Sequence, residues 1–146
     1  MVIQVEQPFQ LLITDDNASF RQILREVLGE RPFLVLHEAE SGEQAVEVVQ
    51  ARRIDIVLLD MHMHFMTGLE TLRVLKQMDI VRPCILITSD ATEELRRDAQ
   101  DAMAFSVLKK PVARKQLLQT VSEALSTAYQ SRISASAEVL PFRESA

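Results

Sequence analysis

Short apolar runs alternate along this chain with longer stretches whose apolar residues recur at helical spacing. Phe9-Gln10-Leu11-Leu12-Ile13-Thr14, Leu34-Val35-Leu36, Ile54-Asp55-Ile56-Val57-Leu58-Leu59, Cys84-Ile85-Leu86-Ile87 and Phe105-Ser106-Val107-Leu108 read as strands. After the first, Phe20, Ile23, Leu24, Val27 and Leu28 follow the i, i+3, i+4, i+7, i+8 rule, and Gly29 and Pro32 supply the stop. Burying such a stripe against a sheet is worth about 1.5–3 kcal/mol per large side chain. Ser41 with Gln44, and Thr67 with Glu70, carry the capping-box pattern ahead of Ala45, Val48 and Val49 and of Leu69, Leu72 and Leu75. A fourth helix, Thr92 to Ala102, has only Leu95, Ala99 and Ala102 on its apolar side, so thin packing predicts a mobile element. A fifth, Ala113 to Tyr129, carries a full stripe in Leu117, Leu118, Val121, Ala124 and Leu125. Strands alternating with helices predict βαβ units around a parallel sheet.

Chemistry sits where the strands end. Asp15 and Asp16 follow the first run, Asp60 the third, Thr88 and Ser89 the fourth, and Lys110-Pro111 the fifth. In an open α/β sheet, ligands bind outside the carboxyl ends of the strands, where the strand order reverses. Three carboxylates, a hydroxyl and an ammonium gathered there point to a divalent cation and a phosphoryl group. Asp60 is the candidate phosphoryl acceptor, because a carboxylate held at the end of a rigid strand can attack phosphorus.

Composition narrows the surroundings. The 146 residues fit one domain, with 1–8 as an N-terminal extension, 9–129 as the folded unit and 130–146 as a Ser- and Ala-rich flexible tail. Within that tail, Val139-Leu140-Pro141-Phe142 reads as a solvated terminus in preference to a docking segment. A net charge of −5 argues against direct nucleic-acid or acidic-membrane binding and leaves proteins as partners. The single cysteine, Cys84, fits a buried thiol in a reducing cytoplasm, and no uncharged run approaches a membrane span.

The ordered set Asp15-Asp16, Asp60, Gly68, Thr88-Ser89 and Lys110-Pro111 resembles the receiver domain of two-component response regulators, over roughly residues 9–128. The resemblance implies a flavodoxin-like fold: a five-stranded parallel sheet in the order 2-1-3-4-5, with five helices on both faces. It implies Mg²⁺ as cofactor, with Asp16 and Asp60 binding directly, Asp15 acting through water and the His62 backbone carbonyl completing the protein ligands. Thr88 and Lys110 then contact the phosphoryl oxygens, small Ser89 keeps the acceptor open, and the Lys110-Pro111 bond is cis. The implied partners are a histidine kinase or phosphotransfer protein, a downstream protein that stays unspecified, and a second copy through the face of helix 4, strand 5 and helix 5.

The chain departs from the family pattern in three places. His64 stands where proline is usual, Met103 replaces a common glycine, and Val107 occupies the position of the aromatic switch, with Phe105 two residues earlier on the same strand face. The branched Val107 has little reach, so the expected readout shifts toward mobility in residues 89–104. His62-Met63-His64 has the spacing of a transition-metal pair, but carboxylates suit Mg²⁺ better. An aspartate-nucleophile phosphohydrolase of the haloacid dehalogenase type would need Asp-x-Asp after the first strand; a degenerate receiver would lack the full acidic set.

Overall fold

The computed structural model describes residues 7–132. Strands β1 (Phe9–Thr14), β2 (Leu34–Ala39), β3 (Ile56–Asp60), β4 (Cys84–Thr88) and β5 (Ser106–Lys109) alternate with helices α1 (Ala18–Leu28), α2 (Gly42–Ala51), α3 (Gly68–Met78), α4 (Glu93–Asp101) and α5 (Arg114–Ala128). All strand pairs are parallel, in the order β2-β1-β3-β4-β5. The chain turns one way from β1 to β2 and the other way to β3, so the order reverses between β1 and β3, where Asp15, Asp16 and Asp60 sit.

The two-residue repeat of the strands divides the interior into two layers. Leu11, Ile13, Ile56, Leu58, Ile85 and Ile87 face one core, with Leu24 and Leu28 of α1 and Leu117, Leu118, Val121 and Leu125 of α5. Leu12, Val57, Leu59, Cys84 and Leu86 face the other, closed by Ala45 and Val49 of α2, Leu69, Leu72 and Leu75 of α3 and Ala99 of α4. Because β1, β3 and β4 are covered on both sides, their runs are nearly continuous in apolar residues.

The structure refines the expected pattern. Ile23 is 53% exposed: α1 meets the sheet along Leu24 and Leu28, and Ile23 lies on the shoulder of that stripe. β2 continues beyond Leu36 to Ala39; as an edge strand it carries His37 and Glu38 without breaking the ladder with β1. The Thr67–Glu70 capping box is complete. At Ser41 only half forms, since its hydroxyl accepts from the Gln44 N–H while the Gln44 side chain accepts from Glu40 N–H, one residue early. Gln130–Arg132 form a 3-10 turn against the body of the protein. The Val139–Phe142 segment lies outside the described residues.

Gly68 opens α3 where the helix crosses closest to the acceptor strand. A Cβ there would collide with the backbone carbonyl of Asp60 and press on Leu86, so the close approach requires glycine. Its N–H donates to the Met61 carbonyl, tying the start of α3 to the residue after Asp60.

Candidate functional site

The site assembles at the carboxyl end of the sheet. Asp15 follows β1 and is buried, with its N–H donating to the Ala39 carbonyl; one of its carboxylate oxygens accepts from the Asn17 N–H at 2.8 Å. Asn17 in turn caps α1, accepting from Phe20 N–H, so the turn that holds the acidic pair also starts the helix. Asp60 ends β3, also buried. Each of Asp15, Asp16 and Asp60 brings a carboxylate oxygen within 4.8 Å of the others.

The Lys110 ammonium bridges two of these groups, 2.9 Å from Asp60 Oδ1 and 3.2 Å from Asp15 Oδ2. It also lies 4.0 Å from the centroid of the Phe20 ring, a cation–π contact that fixes its approach. The Lys110-Pro111 bond is cis, and the Lys110 N–H donates to the Thr88 carbonyl, so β4 and the lysine are locked together.

Burial raises the Asp60 carboxyl above its ordinary value; Lys110 draws it down, and the Asp15 and Asp16 charges push it up again. Burial pulls Lys110 the other way, but its contact with Asp60 and the field of Asp15 leave it raised overall. Three carboxylates facing one ammonium leave uncompensated negative charge. Closely spaced hard oxygen donors with that excess charge suit Mg²⁺, which prefers carboxylate and water oxygens.

The Thr88 hydroxyl is buried and accepts from the Asp90 N–H at 3.1 Å, and Ser89 beside it is exposed. The His62 imidazole reaches that same hydroxyl at 3.4 Å, whereas His64 turns to Asp16, its Nδ1 2.9 Å from Oδ2. The two histidines therefore face different partners, His62 the Thr88 hydroxyl and His64 the Asp16 carboxylate. Nothing in the helical spacing of Phe20 distinguishes its role beside Lys110 from ordinary core packing. The Asp16–His64 contact joins residues 48 apart and has no local sequence signal.

The departures from the family pattern have structural counterparts. Val107 is half-buried against the core beneath α2, α3 and α4, while Phe105 lies just before β5, is exposed and lines a surface groove with Arg96, Gln100 and Val107. Met103 adopts φ 69° and Phe65 φ 67°, left-handed conformations rare for side chains of their size. Among the described residues, no helix is long and apolar enough to cross a membrane.

Comparison with known proteins agrees with this geometry. The chain is 33% identical over 116 residues to the chemotaxis protein CheY of Halobacterium salinarum, covering 80% of this chain and 96% of that protein. It is 31% identical to CheY of Bacillus subtilis, over 80% of this chain and 97% of that one. The structure of Vibrio cholerae chemotaxis protein CheY4 superposes with a TM-score of 0.76 at 25% identity, covering 81% of this chain and 99% of the other. Residues 11–122 match the family described as the response regulator receiver domain, and the chain belongs to that family.

Proposed function

We propose that this phosphorelay receiver takes a phosphoryl group on Asp60 from the phosphohistidine of a histidine kinase or phosphotransfer protein, with Mg²⁺ held by Asp15, Asp16 and Asp60. The observation that carries the reading is the Lys110 ammonium seated on both Asp60 and Asp15 at the mouth of a three-carboxylate cluster. When bound, the cation offsets the negative charge of the acidic cluster and of the incoming phosphoryl oxygens. An Asp60 oxygen attacks phosphorus; the new P–O bond forms as the donor P–N bond breaks, and the electron pair returns to the donor nitrogen. The Thr88 hydroxyl, released from Asp90, donates to one phosphoryl oxygen, and Lys110 neutralises another. The His62 carbonyl completes the ligand set by family resemblance. Exposed Ser89 leaves room for a bulky donor. The only catalysis is of the chain's own phosphorylation and dephosphorylation, and the acidic pair placed after β1 with a lone Asp60 after β3 does not fit the phosphohydrolase arrangement.

The readout follows from Val107, Phe105 and α4. With a short branched residue at the switch position, phosphorylation acts mainly on the mobility of residues 89–104, and protein partners, including a second copy of the chain, engage the face of α4, β5 and α5. Incubation with acetyl phosphate and Mg²⁺, followed by intact-mass measurement, tests the chemistry. One phosphoryl adduct is expected on the native chain and none on Asp60→Asn or in excess EDTA; labelling of Asp60→Asn to the native extent would refute the acceptor.

A further inference from the structure

The loop from β3 to α3 places an imidazole on the acidic cluster by a strained route. His64 Nδ1 lies 2.9 Å from Asp16 Oδ2. A carboxylate only accepts, so Nδ1 carries the proton and donates. The next residue, Phe65, sits at φ 67° with 97% of its surface exposed, and Met66 N–H donates back to the His64 carbonyl at 2.7 Å. That i to i+2 hydrogen bond at positive φ makes a tight three-residue turn of the rare, strained kind. The ring of Phe65 is tilted against that of His64, with the two centroids 6.5 Å apart. The result of the turn is that His64 faces Asp16, although the His64 side chain is itself 86% exposed.

We infer that His64 is a positioning residue for the divalent cation, holding Oδ2 of Asp16 so that the other carboxylate oxygen is presented to the ion. The inference rests on the reading of the acidic cluster as the cation site. Asp15 already has both oxygens engaged, by Asn17 N–H and by Lys110, and Asp60 has Lys110. Of the three carboxylates, Asp16 is the one that has no lysine and no backbone donor to orient it among the described contacts, and His64 supplies that missing donor. Donors behind a ligating carboxylate fix its direction, and their loss commonly costs a factor of ten or more in metal affinity. The histidine acts from outside the ion, because the three carboxylate oxygens cluster within 4.8 Å of one another without it.

Calorimetric titration of Mg²⁺ and of Mn²⁺ into the native chain, His64→Ala and His64→Asn, all in one buffer, tests this. The asparagine amide carries an N–H at the reach of Nδ1. His64→Ala should weaken both ions by about tenfold, equally, and His64→Asn should restore both to within about twofold. Removal of a directly ligating nitrogen would instead weaken Mn²⁺ more than Mg²⁺, since imidazole favours the transition metal; that outcome overturns the positioning role. Unchanged affinities in His64→Ala, or no rescue by asparagine with an unchanged melting temperature, also overturn it. If the native chain binds neither ion, the cation reading itself falls, and the role of His64 with it.

Discussion

At the scale of single residues, the site is a balance between Asp60 and its surroundings. Its carboxyl is held above the ordinary 3.8, so the native state keeps this proton to higher pH than the unfolded chain does. Its ionisation therefore costs stability as pH rises through that window. In metal-free buffer, Asp60→Asn should melt a few degrees above the native chain at neutral pH, about the shift that 1 kcal/mol gives. The advantage should vanish in acid, below both values, and a given Mg²⁺ concentration should stabilise the native chain more than the variant. Lys110 has the opposite sign: raised above 10.5, it contributes stability that is complete below that pH and is lost as alkali deprotonates it in the fold. Differential scanning calorimetry across pH reads both. Asp15, Asp16, Asp60, Thr88 and Lys110 were legible in the sequence because each ends an apolar run, and the run itself fixes where the side chain emerges. His64 on Asp16 and Phe20 on Lys110 were not, because those contacts depend on how two distant loops fold toward each other.

At the scale of elements, α4 is the weak member. Only Ala99 of its nine residues is buried, against seven buried residues in α5, and the polar composition of Glu93–Asp101 made this readable in advance. Hydrogen exchange should find Glu93–Asp101 the least protected helix, and a beryllofluoride phosphoryl mimic should change protection across residues 89–104. Changes confined to β5 would contradict the mobility readout. The end of α4 shows a further cost. Ala104 N–H reaches the Ala99 carbonyl and Met103 N–H the Gln100 carbonyl, the helix-terminating pattern whose left-handed residue is normally glycine. Met103 holds that position at φ 69°. Met103→Gly should therefore stabilise the fold by about 1 kcal/mol, read as a rise in the urea midpoint. The glycine missing from the family pattern was visible in the sequence; that the backbone keeps its left-handed turn without it was not. Apolar spacing likewise located α1 and α5 but could not tell that Ile23 would fall on the shoulder of its stripe.

Across the whole molecule, chemistry and anchorage lie at opposite poles of the sheet. Before β3, buried Asp55 accepts from Gln10 N–H, lies 3.5 Å from Arg53 and pairs with Arg132 at 2.7 Å, while its carbonyl accepts from the Tyr129 hydroxyl. Arg132 also stacks over Phe9, its guanidinium 4.3 Å from the ring centroid. Arg132→Ala should cost about 2 kcal/mol in chemical denaturation, because a buried carboxylate loses its closest cation, and should leave phosphoryl uptake unchanged. Asp55 read in the sequence as one polar residue in an apolar run. Its partner is 77 positions away, beyond the reach of any local pattern. The βαβ order and sheet topology were legible because alternation and short connections constrain them; this clamp is a tertiary event. Its location carries a practical consequence for biophysical measurement. β3 separates Asp55 from Asp60 by about 16 Å of strand, so a surface tether or dye joined after the Arg132 turn leaves from the pole remote from the acceptor. Immobilised in that orientation, the domain would present its acidic mouth to the fluid, and binding traces with a phosphodonor protein would be free of steric shadow from the support.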